Sequence, residues 1–436
     1  MDRIKERITG LTRWLQPGLG VKRWILAILV GTTIISLGLA LFVIDLYRKT
    51  PDSWWLPLVS FASLRSLPRI IRIVIFELFG GVVIIWGVVG LNRSLLGPYL
   101  RPGHNIVDRL EKHQSRKHGP KIVAIGGGHG LATLLRGLKK VSHNIYAVVT
   151  VADDGGSSGR LRESLGILPP GDVRNCLAAL SDDEDLLAQL FQYRFADAEG
   201  SLKGHSFGNL FISSMAEVTG SFEQAVAESG RVLAVSGRVL PATLENVKLI
   251  ADIKVNENKK ATRIEGESKI TATPGRIQRV MLEPGNPAAY PEVIQSILSA
   301  DLIVIGPGSL YTSIMPNLLV KDISSAIRAS QALKIFICNV ATQLGETDGF
   351  SCGDHLNVMD EHVGSNLVDI VVANDIPPEN FNSRVEGVYV EEELGLKYNL
   401  YKKDLIDEEN PWRHDPDKVT MVLIDLLRER TGPLTM

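Results

Sequence analysis

Apolar and polar positions divide the chain into stretches of different pattern. Near the N-terminus, residues 24–44 (WILAILVGTTIISLGLALFVI) carry no charged side chain. At about 1.5 Å per residue such a run reaches roughly 30 Å, the thickness of a bilayer core. A second apolar run, 73–91 (IVIFELFGGVVIIWGVVGL), holds a single carboxylate, Glu77. The pattern predicts a two-helix transmembrane hairpin within residues 1–92, with spans of about 24–46 and 70–91. Residues 93–119 are polar and basic and predict a linker; His104, His113 and His118 within it lack ligand spacing on one helical face. From residue 120 the pattern changes to short apolar runs separated by helical stretches: 121–126 (KIVAIG), 145–151 (IYAVVTV), 302–306 (LIVIG), 335–339 (IFICN) and 369–373 (DIVVA). Near-continuous apolar strands alternating with helices predict a parallel sheet covered on both faces. Residues 172–235 predict helices of a cap or crossover, and 237–283 an antiparallel insertion. The expected fold class is therefore α/β, a Rossmann-like doubly wound, mostly parallel sheet over 120–383 with helical and antiparallel insertions. The transmembrane hairpin precedes it, and a C-terminal extension over 384–436 packs on it.

Charge and cysteine content place this architecture. The first 23 residues hold Arg3, Lys5, Arg7, Arg13, Lys22 and Arg23, and the stretch after the second span is basic as well. Basic flanks on both sides put them, and the main domain, on the cytoplasmic face of the plasma membrane. The segment between the spans is also basic, with Arg48, Lys49, Arg65, Arg69 and Arg72. Trp54 and Trp55 between the spans suit a membrane interface. The three cysteines, Cys176, Cys338 and Cys352, form neither a metal spacing nor a disulfide framework, which fits a reducing compartment. A formal net charge of -2 over 436 residues argues against a nucleic-acid partner.

Candidate chemistry follows the predicted strands. Gly126-Gly127-Gly128-His129-Gly130 follows the first, Asp153-Asp154-Gly155-Gly156-Ser157-Ser158-Gly159-Arg160 the second, Gly306-Pro307-Gly308-Ser309 the run 302–306, and Asn339-Val340-Ala341-Thr342-Gln343 the run 335–339. Strand ends of a parallel sheet share one edge, where ligands bind. The first segment lets backbone N–H groups at a helix start approach an anion. It is neither a Walker A loop nor a complete dinucleotide fingerprint, since Leu131 stands where a third glycine or alanine is wanted. Asp153 and Asp154 are candidates for a divalent ion or for ribose hydroxyls, and Arg160 and Arg162 for a diphosphate clamp. Asp172 reads as a helix cap followed by Arg174 and Asn175. His205 is a candidate acid, base or ligand contact. No Ser-His-Asp or Cys-His set accompanies it, so nucleophilic hydrolysis is not favoured. If the protein is catalytic, Asp153, Asp154 and His205 are the candidates.

In order, the runs ADDGGSSGRLR, LPPGDVRNCLAAL, GHSFGNL, GPGSLYTSIMPNLLV and NVATQLGET resemble those of the gluconeogenesis factor (YvcK-type) family, within the superfamily of the 2-phospho-L-lactate transferase of coenzyme F420 synthesis. The resemblance spans about residues 120–382. It implies binding of UDP-sugars such as UDP-glucose and UDP-N-acetylglucosamine, and a regulatory role in cell shape and wall synthesis during gluconeogenic growth. Wall-synthesis proteins and a second copy of the chain are the partners expected beside the membrane. The residues expected at the ligand are the glycine-rich turn, Asp153, Asp154, Ser157, Ser158, Arg160, Arg162, Asp172, Arg174, Asn175, His205, Ser206, Asn209, Gly306, Gly308, Ser309, Thr312, Ser313, Asn339, Thr342 and Gln343. The transferase relatives use a nucleotide-activated donor and a divalent metal, so the alternative is a transferase of that type. Mg2+ held at Asp153 and Asp154 with a bound nucleotide sugar is then the implied cofactor. His129 departs from the family pattern, which has a small hydroxyl residue at that position.

Overall fold

The computed structural model describes residues 119–181, 186–195, 200–255, 260–375 and 386–431, together with Arg116 and scattered positions between 32 and 84. The chain divides into two units, Met1–Gln114 and Ser115–Met436.

In the first unit, described positions such as Ile70, Leu78 and Phe79 are helical and exposed. Among the described residues no helix is long and apolar enough to cross a membrane. A crossing needs about 20 consecutive apolar helical residues. The expectation of a transmembrane hairpin is corrected on that finding, and with it the membrane partner and the multi-pass plasma-membrane location. Most of residues 24–46, part of 70–91 and nearly all of 93–118 lie outside the described residues.

The second unit is an α/β body with two sheets. Strands β1 (Ile122–Gly126), β2 (Ile145–Val149), β3 (Arg238–Pro241), β7 (Leu302–Ile305), β8 (Leu333–Ile337), β9 (Ile370–Asn374) and β10 (Leu400–Lys403) form one sheet in the order β10-β9-β8-β7-β1-β2-β3. Every neighbouring pair in it is parallel. Strands β4 (Lys248–Lys254), β5 (Thr262–Glu265) and β6 (Arg276–Glu283) form a separate antiparallel sheet, order β5-β4-β6. The unit is thus an α/β arrangement of parallel and antiparallel regions, and the transmembrane hairpin expected before it is not supported among the described residues.

Composition explains the two sheets. Ile122, Val123, Ala124 and Ile125 are all buried, as are Leu302, Ile303, Val304 and Ile305, because helices cover both faces of the parallel sheet. In β4 the fully buried residues are Leu249, Ala251 and Ile253, one face of a strand whose other side is polar. Helix α1 (Gly128–Leu138) buries Leu131, Leu134, Leu135 and Leu138, spaced as one helical stripe. The site is further shaped by α2 (Gly156–Leu165), α3 (Gly171–Leu180), α4 (Phe207–Thr219) and α5 (Glu267–Ala272); α6 (Cys352–Val363) and the C-terminal α7 (Pro416–Thr431) lie outside its lining.

Strand order reverses between β1 and β7: the chain leaves β1 for β2 and β3, then returns on the other side as β7. Connections from β1 and β7 therefore diverge at their C-terminal ends and leave a crevice.

Candidate functional site

That crevice opens into a cleft of about 750 Å³. The turn between β1 and α1 forms its floor. Gly128 has φ +61°, a left-handed conformation that suits glycine. A Cβ on Gly130 would stand 2.6 Å from the carbonyl oxygen of Pro307, so this glycine lets the loop after β7 press on the turn. Asn339 fixes that loop from the other side: its Oδ1 accepts from Gly308 N at 3.1 Å and its Nδ2 donates to Gly308 O at 2.8 Å. Ser309 Oγ accepts from Gln343 Nε2 at 2.8 Å. Gly127, Gly128, His129, Gly130, Gly308, Ser309, Ser313, Asn339, Thr342 and Gln343 all line the cleft.

The opposite wall comes from α2, α3 and α4, through Asp153, Ser157, Ser158, Asp172, Arg174, Asn175 and Asn209. Arg160 Nε donates to His205 Nε2 at 3.3 Å, which assigns the His205 proton to Nδ1, 3.0 Å from Ser157 Oγ. Asn209 Nδ2 donates to the same oxygen at 3.1 Å. With two donors already aimed at it, the Ser157 hydroxyl is left to donate toward the cleft. It is not set up as a nucleophile, because His205 gives it a proton rather than taking one. Burial and the Arg160 charge hold the His205 pKa below its ordinary value.

Arg174 is almost fully buried. Its Nη1 donates to Ser206 Oγ at 2.5 Å and its Nη2 to Asn175 Oδ1 at 2.9 Å. Burial and Arg194 bring its pKa down to about 10, so it remains a cation at neutral pH. Two buried atoms on this wall, Arg174 Nε and Asn209 Oδ1, have no hydrogen-bond partner among the described residues.

Several expected residues stand outside the cleft lining. His205 and Ser206 sit behind the wall, where Ser206 caps α4 by accepting from Asn209 N. Arg160 Nη2 donates to Lys203 O at 2.9 Å. Arg162 bonds the Asn246 side chain and Val247 O, tying the antiparallel sheet to the wall. Thr312 donates to Glu346 Oε1 at 3.0 Å, inside the core. Gly126 and Gly306 lie in the strand ends beneath the loops.

The acidic pair also separates. Asp153 faces the cleft, whereas Asp154 Oδ1 accepts from Ser268 N at 2.9 Å and caps the start of α5. Among the described residues no group of three His, Cys, Asp or Glu side chains is placed to hold a metal ion. Asp153 and Asp154 as arranged do not fit a shared divalent ion.

The companion of Asp153 is instead Glu267, which lines the cleft beside it. Burial and the neighbouring Asp153 raise the Glu267 pKa well above the carboxylate range. Asp172, half-buried on the cleft wall beside Asp153, is pushed up to about 7 by burial first and Asp153 second, even though Gly128 N donates to it. Glu267, Thr133, Arg194, Leu344, Trp412, Arg413 and His414 complete the lining. Thr133 lies one turn into α1 and Leu344 within NVATQLGET, whereas Glu267, Arg194, Trp412, Arg413 and His414 adjoin none of the quoted runs. Trp412 did carry a signal, being the single tryptophan after Trp86, in a polar segment.

The sequence profile of a family described as 2-phospho-L-lactate transferase CofD matches residues 122–429. A relative from Nostoc sp. is 46% identical over 439 residues, covering 97% of this chain and 94% of its own length. The gluconeogenesis factor of Bacillus subtilis is 46% identical over 319 residues, covering 71% of this chain and 99% of itself. This chain belongs to the gluconeogenesis factor family. A crystal structure of a UPF0052 family member from Bacillus halodurans superposes with a TM-score of 0.65 at 43% identity, over 70% of this chain and 99% of that one. The full-length match to the Nostoc gluconeogenesis factor relative extends beyond the cleft-bearing unit, whereas the Bacillus proteins match about its extent.

Proposed function

We propose that the cleft binds a UDP-sugar, such as UDP-N-acetylglucosamine, and that the protein acts as a regulator of cell shape and wall synthesis during gluconeogenic growth. The observation that carries this reading is Arg174: a buried guanidinium with an unpartnered Nε on the wall of a cleft of about 750 Å³. A buried donor without a partner costs about 1–3 kcal/mol, and a diphosphate oxygen is a charge-assisted acceptor for it. The start of α1 and the Ser157 hydroxyl offer further donors, and the Asp153–Glu267 side offers acceptors for sugar hydroxyls. The volume lies in the range of sites for ligands of this size.

A second reading, a transferase acting on a nucleotide-activated donor, draws on one feature. Asp172 with a pKa of about 7 is in the range of a general acid or base. Calorimetric titration of UDP-N-acetylglucosamine into the full chain, with and without Mg2+, followed by chromatography of the ligand, separates the readings. Saturable binding with intact ligand is expected. Turnover would move the protein to the transferase class, and a folded protein that does not bind would end the nucleotide-sugar reading.

His129 gives a smaller test of the same site. It is exposed at the start of α1, and burial together with Arg413, Arg174, Arg136 and Arg194 lowers its pKa. The neutral ring adds bulk but no charge. His129→Thr restores a compact hydroxyl donor and is expected to tighten UDP binding about fivefold, the worth of one hydrogen bond of about 1 kcal/mol. Weaker binding would show that the imidazole itself contacts the ligand.

A further inference from the structure

The C-terminal segment reaches the cleft through a turn that contains none of the family motifs. Residues 407–413 fold back on themselves: Asp407 N donates to Arg413 O at 3.0 Å, and Arg413 N donates to Asn410 O at 2.8 Å. Asp407 Oδ1 accepts from Glu409 N at 2.8 Å and from Asn410 N at 3.1 Å. The base of the turn is anchored. Ile406 and His414 form an antiparallel bridge, and Asp415 N donates to Leu405 O at 2.8 Å. The buried His414 ring reaches Cys338 O through Nε2 at 3.1 Å, so it is tied to the residue preceding Asn339.

Trp412 stands at the tip of this fixed turn. It lines the cleft and is 49% exposed. An indole held by ordered backbone presents a flat π face at little further entropic cost. Charge supplies a direction along the cleft. Glu267 feels mainly other carboxylates, those of Asp153, Asp172 and Glu346, whereas His129 feels only guanidinium groups, Arg413 first. Arg174 feels both sets. Carboxyl groups thus gather around Glu267 and guanidinium groups around His129, and Arg413 adjoins Trp412 in the turn that lines the same cleft.

We infer that Trp412 is the stacking platform for the planar base of a nucleoside diphosphate, with the diphosphate at Arg174 and α1 and the sugar at the carboxyl-rich end. This rests on the nucleotide-sugar reading above. Stacking on an aromatic side chain suits any base, since each offers a π face, and Arg413 adds a cation beside it.

The test uses the full chain with UDP and UDP-N-acetylglucosamine as probes and compares wild type, Trp412→Ala and Trp412→Phe by calorimetry and fluorescence. Trp412→Ala is expected to weaken both ligands equally, by a factor of roughly 10 to 100, with an unchanged melting temperature. Trp412→Phe is expected to bind nearly as well as wild type but to lose the ligand-induced change in tryptophan emission. Equal affinity in wild type and Trp412→Ala overturns the inference. So does a loss confined to UDP-N-acetylglucosamine, which would put the indole against the sugar. Failure of wild type to bind either uridine compound is a different result: it removes the nucleotide-sugar reading, and this assignment with it.

Discussion

Replacing Arg174 with methionine is expected to weaken UDP-N-acetylglucosamine binding about 100-fold, the upper range for a charged hydrogen bond of roughly 1.5–3 kcal/mol. No other cation on the cleft wall is both buried and incompletely partnered among the described residues. Its two outer nitrogens are fixed on Ser206 and Asn175, so the fork is held in place before any ligand arrives. The methionine stem preserves much of the volume but none of the donors. Lysine keeps a charge without the planar fork and is expected to fall between wild type and methionine. Some stability is lost as well, because Ser206 and Asn175 each lose a partner; a melting curve separates that loss from the loss of affinity. An Arg174→Met protein that stays folded and binds like wild type would remove this side chain from the ligand site.

The ligand-free protein is expected to lose stability as pH rises from about 4 to about 7, and Asp172→Asn is expected to abolish about half of that slope, Glu267 supplying much of the rest. Asp172 has its pKa raised from 3.8 to about 7 by burial first and by Asp153 second. Between those values the folded state binds more protons than the unfolded state, so the slope of stability with pH is negative. The full difference is on the order of 4 kcal/mol, at about 1.4 kcal/mol per pH unit. Glu267 acts in the same direction, since its pKa is also raised. At pH 8 Asp172→Asn is then more stable than wild type, while near pH 4 the two melt alike. Urea or thermal melts across this range provide the check. Stability that rises between pH 5 and 7.5, with no effect of the asparagine, would mean that Asp172 is held ionised by Arg174 instead.

Both predictions depend on residues whose roles were only partly legible. The apolar runs at 121–126, 145–151 and 302–306 read as strands because little that is polar interrupts them, and they contain β1, β2 and β7 with one or two residues to spare. The loops that follow them were legible as a site for the same reason: glycine and hydroxyl residues directly after a buried strand have no packing role to explain them all. Within those loops, direction was not legible. Asp153 and Asp154 are adjacent in sequence yet face different neighbours, because the start of α5 offers Ser268 N to one of them. Arg160 and Arg162 read as a phosphate clamp, but carbonyl and amide groups of other segments take them up. In the N-terminal stretch an uncharged run predicted a membrane hairpin, while no described helix has the length and apolar character to cross a bilayer.

Sequence alone determined the family, through ordered runs such as ADDGGSSGRLR and GPGSLYTSIMPNLLV, and the positions of the main parallel strands, since both are local patterns. Tertiary structure decided the composition of the cleft. Glu267 arrives from the insertion between β3 and β7, Arg194 from the segment between α3 and α4, and Trp412 and Arg413 from the turn before α7. Each is remote in sequence from the glycine-rich loops it faces. What brings them together is the reversal of strand order at β1 and β7 and the burial of apolar surface beneath it. No local pattern of residues encodes that meeting.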